Sequence, residues 1–130
     1  MAGTSQIRSF KDLIVWQKAF QLCLDVYRGT QGFPAEERFG LTTELRKTSR
    51  SVPCNIAEGR QRRTTTEYLR FLDIASGSRA ELETQLLLAQ ALGYLSDENS
   101  VSLLSTCEEV AKLLAALARA LRSKAGRTHP

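Results

Sequence analysis

The chain is expected to fold as an all-α protein, an antiparallel up-down-up-down four-helix bundle. Three observations predict this. Apolar residues recur at helical spacing through four long segments, short runs carrying Gly or Pro separate those segments, and no stretch alternates apolar and polar residues between turn dipeptides. The 130 residues, 42% of them hydrophobic, can bury one core without disulfide or metal. Four helices joined by short loops pack each beside its sequence neighbours.

The first helix is expected from Phe10 to Arg28, with Ser9 as N-cap and Gly29 just past the end, where a left-handed residue is useful. Pro34 suits the first turn of the second, which runs through Leu41, Leu45, Val52 and Ile56 to Gly59. Pro53 lies inside it and removes one backbone donor, so a kink near residues 49–52 is expected, with Ser49 or Ser51 placed to satisfy freed carbonyls; a break into two helices is the alternative.

Thr64-x-x-Glu67 has the reciprocal pattern of a capping box and opens the third helix. Its stripe is Tyr68, Phe71, Leu72, Ala75, Leu82, Leu86 and Ala89, ending at Gly93, with Gly77 and Ser78 as a small patch for close approach of a neighbour. The fourth begins at Ser96, with Asp97 and Glu98 at its positive end, and runs through Val101, Leu104, Cys107, Ala111, Leu114 and Leu117 to Leu121. Residues 10–124 thus form one domain, between a flexible stretch 1–9 and a disordered tail 125–130.

Composition excludes several chemistries. The single His, His129, is next to the C-terminal residue, so schemes needing a positioned imidazole lack their part. No Cys/His cluster, no Glu-x-x-His pair and no Gly-rich phosphate loop is present, so no metal or cofactor is expected. Cys23, Cys54 and Cys107 are widely spaced, without C-x-x-C, and read as buried small apolar residues. No apolar run approaches the roughly 20 residues of a membrane span, and residues 1–10 do not read as a secretory signal, so a cytoplasmic location is expected.

Two features point outward. At 100° per residue the apolar positions of the first helix, among them Val15, Trp16, Ala19, Phe20, Leu24 and Tyr27, cover an arc of roughly 200°, about twice what a bundle helix needs. Either a second copy covers the excess, with Val15, Trp16, Ala19 and Tyr27 at the subunit interface, or the helix is buried deeply in its own domain. The other feature is charge. Between residues 46 and 63 six bases (Arg46, Lys47, Arg50, Arg60, Arg62, Arg63) face one acid, Glu58, a local +5 against +4 for the chain. Arg46, Lys47 and Arg50 fall opposite the apolar stripe of their helix, and the Arg loop follows where it ends, so one basic surface fits the geometry. Five of the six are Arg, whose guanidinium forks suit phosphate. The alternative is a solvated face. No aromatic residue interleaves these bases in sequence, so recognition of backbone and shape is expected in preference to base stacking.

A polar group, Asn55, Glu58, Glu81, Glu83 and Thr84, gives little support to catalysis. Glu81 and Glu83, two apart on a helix, point away from each other and cannot act as a pair. Asn55 is expected to find a partner on the third helix, a Glu, in a network that fixes register.

Several segments in order resemble a known family: Asp12-Leu-Ile-Val-Trp-Gln-Lys-Ala19, Phe33-Pro34, Gly40-Leu41, Ser51-Val-Pro-Cys-Asn-Ile-Ala-Glu-Gly59, Phe71-Leu72, Ala75-Ser-Gly-Ser78, Glu81-Leu82 with Thr84, and Leu92-Gly-Tyr94. From about Phe10 to Leu95 the chain resembles the 23S rRNA intervening sequence proteins, small bacterial four-helix bundles. That family is similar to the accessory bundle protein of diversity-generating retroelements, a basic pentamer that binds its reverse transcriptase and nucleic acid. The resemblance implies a homopentamer and a nucleic-acid-associated role, with Arg46, Lys47, Arg50 and the Arg60 to Arg63 loop at the family's basic positions. It brings no catalytic motif. The expectation is a non-enzymatic homo-oligomer binding RNA or DNA backbone, with a scaffold docking another protein, such as a polymerase, as the alternative.

Overall fold

The computed structural model describes residues 6–128 and contains four α-helices: α1 (Ile14–Gly29), α2 (Leu41–Arg60), α3 (Thr65–Ala91) and α4 (Asp97–Thr128). Each packs against its sequence neighbours, α1 closes on α4, and the backbones of the diagonal pairs stay apart among the described residues. Contacts run in opposite order along adjacent helices. Thr30 meets Arg46 while Cys23 meets Ser49, and Ser51 meets Ser78 while Gly59 meets Phe71, so α1, α2 and α3 alternate in direction. Lys18 pairs with Glu109 while Gly29 lies against Leu103, which makes α4 antiparallel to α1. The expected bundle is formed, around a core that includes Leu22, Val26, Leu45, Ile56, Leu82, Leu86, Cys107 and Val110, each at most 1% exposed.

Several boundaries differ from expectation, each for a local reason. Ser9 caps a separate 3-10 turn, Phe10–Asp12, with a complete capping box. Its hydroxyl accepts from the Lys11 N–H, while the Asp12 carboxylate accepts from the N–H groups of Arg8 and Ser9 at 2.8 and 3.2 Å. Those two bonds hold the Asp12 carboxyl below its ordinary pKa. Leu13 is extended, so α1 starts at Ile14. Gly29 is the last helical residue, not a left-handed cap, and the only positive φ among the described residues is that of Gly93, +79°.

Pro34 opens no α-helix. It precedes a 3-10 turn at Ala35–Glu37, and α2 begins at Leu41 after Gly40. Glu37 organises this junction: one carboxylate oxygen accepts from the Leu41 N–H at 3.0 Å, the other from the Tyr94 hydroxyl at 3.0 Å. That bond to a carboxylate raises the Tyr94 pKa. Pro53 does not divide α2, which is continuous from Leu41 to Arg60. Ser49 Oγ donates to the Arg46 carbonyl at 2.9 Å, and the Asn55 amide donates to the Ser51 carbonyl at 2.8 Å.

At the start of α3 the Thr64 hydroxyl accepts from the Glu67 N–H at 3.2 Å, one half of the expected box. Its end is a Schellman turn, with Tyr94 N–H on the Ala89 carbonyl (2.9 Å) and Gly93 N–H on the Gln90 carbonyl (3.0 Å). The small-residue approach falls elsewhere than expected. Gly77 is exposed with open space around it, whereas Gly59 is buried against Phe71 and Tyr68. Helix α4, N-capped by Ser96 on the Asn99 N–H (3.1 Å), continues to Thr128, so residues 125–128 of the expected tail are helical. The expected flexible stretch falls partly on residues 1–5, which, like His129 and Pro130, lie outside the described residues.

Candidate functional site

The six bases of the expected surface fall into two groups. Arg46 is half-buried. Its Nε donates to Thr30 Oγ at 2.9 Å and a terminal nitrogen to the Tyr27 carbonyl at 3.3 Å, with the guanidinium carbon 4.9 Å from the centre of the Tyr27 ring. Arg50 donates to the Tyr27 hydroxyl. Both therefore clasp α1 to α2, while Lys47 is exposed. Beyond Arg50 the same side of α2 continues through Pro53, Cys54 and Ala57, which with Phe10, Trp16, Phe20, Cys23, Leu24 and Tyr27 line an open apolar groove of about 470 Å³. At 1.5 Å per residue Arg46 and Arg60 are roughly 21 Å apart along the helix. The groove lies between them, so the single basic surface expected from the sequence is divided.

The second group stands at the end of the bundle where α2 finishes. Arg60, Arg62 and Arg63 line a cleft of about 360 Å³ together with Thr64, Thr65 and Tyr68 of the α3 start and Leu121, Lys124 and Ala125 of α4. Arg60 donates to the Ile7 carbonyl at 3.0 Å, tying the N-terminal segment to this end. Arg62 pairs with Glu58, and its guanidinium lies 4.6 Å from the Phe71 ring centre, with Arg70 at 4.8 Å from the same centre. Arg63 and Lys124 have no carboxylate within ion-pair distance among the described residues. Burial pushes the Tyr68 hydroxyl pKa up, and the Arg60 charge opposes that. Sequence pattern marks the Arg loop but neither Lys124 nor Tyr68, because the α4 end and the loop come to line one cleft only once the bundle closes.

The residues expected at a subunit interface also separate. Val15 and Ala19 are 4% and 0% exposed and belong to the subunit's own core, which corrects their placement at an interface. Trp16 is half-buried, stacked on Phe20 with ring centres 5.0 Å apart and meeting Phe10 edge-on at 5.2 Å; Tyr27 is half-buried under Arg46. Ile14 and Phe20 are the most exposed apolar residues of α1, at 62% and 46%. The part of the wide arc left uncovered by the bundle is therefore Ile14, Trp16, Phe20 and the groove beside them.

The remaining polar candidates have local partners. Asn55 bonds Ser51 Oγ at 3.0 Å, and Ser51 Oγ meets Ser78 Oγ at 2.8 Å, so the link to α3 runs through two serines and not through a Glu. Glu83 accepts from Arg79 at 2.7 Å, and Glu81 is exposed, accepting from Gln85 at 3.5 Å. Only Cys107 is buried as expected; Cys54 is exposed and Cys23 intermediate, because both face the open groove. Among the described residues no group of three or more His, Cys, Asp or Glu is placed to hold a metal ion, and no helix is long and apolar enough to cross a membrane.

No curated protein matches the chain. Among solved structures it is similar to a protein with unknown function from the S23 ribosomal protein family of Bacteroides thetaiotaomicron, at 21% identity and a TM-score of 0.73 over 81% of this chain and 98% of that one. At that identity the likeness speaks for the fold. The family model of the 23S rRNA-intervening sequence protein matches residues 11–116, which cover α1 to α3 and more than half of α4. On that match, the chain belongs to the 23S rRNA-intervening sequence protein family.

Proposed function

We propose that this protein is a non-enzymatic, cytoplasmic homo-oligomer, a pentamer, that binds nucleic-acid backbone, and RNA in particular, through its basic residues. The observation that carries the reading is the cleft at the bundle end, where three arginines and Lys124 converge and no carboxylate lines the wall. Such a surface attracts polyanions, and Arg forks match phosphate oxygens. Arg46 and Arg50 contribute less than the sequence pattern gave them, since both are bonded to α1; Lys47 and the Arg loop carry the interaction. The open apolar groove supports self-association: aromatic residues in a concave patch are the usual anchors of a protein interface. In a ring, each subunit would add one cleft to the field felt by a single strand.

A second reading rests on the same groove. There the apolar surface docks a different protein, such as a polymerase, and the arginines serve salt bridges. Salt response separates the two, because phosphate binding falls steeply with ionic strength and apolar docking does not. The experiment is a titration of labelled RNA and duplex DNA at low and moderate salt, with wild-type protein and a variant carrying Arg60→Ala, Arg62→Ala and Arg63→Ala. Binding with a steep salt slope that the variant loses supports the nucleic-acid reading. Absence of binding at low salt overturns it and leaves protein docking.

A further inference from the structure

We propose that the end cleft is a receptor for a phosphate monoester, the phosphorylated terminus of a nucleic-acid strand; this rests on the nucleic-acid reading above and narrows it to one chemical group. The cleft draws its charge from segments far apart in sequence: Arg60, Arg62 and Arg63 from the loop after α2, and Lys124 from the last turns of α4. Arg62 is already matched by Glu58, and Arg60 holds the Ile7 carbonyl without being neutralised. Arg60, Arg63 and Lys124 are thus three cations with no carboxylate partner among the described residues, facing one recess of about 360 Å³.

That excess is larger than one internal phosphodiester answers. A diester carries a single charge, whereas a monoester carries about −1.5 to −2 near neutral pH, with three terminal oxygens as acceptors. Arg63 offers a planar fork and Lys124 a compact point charge, a pairing able to take two or three oxygens of one group from different sides. Residues from the end of α2, the loop after it, the start of α3 and the last turns of α4 line one open recess, which a strand end can reach into. Tyr68 and Leu121 give the recess an apolar wall against which the terminal sugar and base can rest.

The test compares one RNA sequence carrying a 5′-phosphate, a 3′-phosphate or hydroxyls at both ends, titrated into protein without an added tag. Wild type should bind one phosphorylated end roughly tenfold tighter than the hydroxyl-ended strand, the effect of one additional charge-assisted contact. Which end is preferred identifies the terminus. Lys124→Gln and Arg63→Gln should each bring the ratio of affinities towards one, while Lys112→Gln, on α4 and paired with Glu108, should leave it unchanged. Both tested side chains are exposed, so the fold should survive, and circular dichroism checks it. Equal affinity for all three strands overturns this proposal and leaves nucleic-acid binding standing. A preference that persists in both variants overturns the assignment to this cleft. If no strand binds at low salt, both readings fall.

Discussion

Gly59 of α2 lies against Phe71 of α3 so closely that a Cβ at Gly59 would stand 2.9 Å from the Phe71 Cβ. The same atom would meet Tyr68 Cδ1 at 3.1 Å and the Tyr68 carbonyl oxygen at 3.2 Å, and a backbone oxygen cannot move aside cheaply. Gly59→Ala gains about 1 kcal/mol of helix propensity but must separate two packed helices, and overpacking costs roughly 1–3 kcal/mol. Net destabilisation is expected, read as a lower urea midpoint. Gly77→Ala, with open space around it, should raise the midpoint.

Arg46 joins α1 to α2 through two hydrogen bonds and a cation–π contact on Tyr27. Arg46→Ala should cost about 1–3 kcal/mol, and Arg46→Lys should recover only part, since an ammonium cannot span Thr30 and the ring face together. Lys47→Ala, on exposed surface beside it, should change stability by less than about 0.5 kcal/mol. Denaturation curves of the three variants decide whether this stretch of α2 is chiefly structural.

Burial pushes the Cys107 thiol up to about 12. Between the unfolded thiol value, about 8.5, and that figure the folded chain holds a proton the unfolded chain has lost, so stability falls as pH rises. The slope contributed by this group approaches about 1.4 kcal/mol per pH unit. Unfolding free energies measured from pH 8 to 10.5 should decline, and Cys107→Ala, though less stable at pH 7, should show a shallower decline. Exposed Cys54 should react with a thiol reagent well before Cys107.

Phe20, 46% exposed beside the stacked Trp16, probes the groove. A charge there should oppose burial by another chain while leaving the core intact. Sedimentation of wild type should give a multiple of the single-chain mass, and Phe20→Asp should shift it towards one chain. Trp16→Ala should act in the same direction, with some loss of subunit stability because its ring also packs on Phe10. A single-chain mass for wild type would remove the groove as a self-association surface.

The four helices were legible because their apolar spacing is set by the core: Leu45, Val52 and Ile56 mark one face of α2 whatever surrounds it. Helix ends were less so. Phe10 and Pro34 carry good start signals, yet Phe10 begins a 3-10 turn and Pro34 caps another, because the chain must bend at Leu13 and Gly40 before each α-helix aligns with its neighbours. At the site, local sequence identifies the Arg loop, a contiguous run. It does not reveal that Arg46 turns inward to Tyr27 and Thr30, nineteen and sixteen residues earlier, nor that Lys124 joins the loop from the far end of the chain.

The bond from Arg60 to the Ile7 carbonyl brings the start of the described chain to the same end of the bundle as its finish, since Lys124 shares the cleft with Arg60. Anything attached at either terminus, whether a purification handle, a fused reporter or a neighbouring domain, leaves the bundle beside the basic recess. An acidic extension there would compete with a ligand in cis, at the high local concentration that tethering provides. Fusions inserted at the opposite end, in the α3–α4 turn at Gly93, would leave the recess clear.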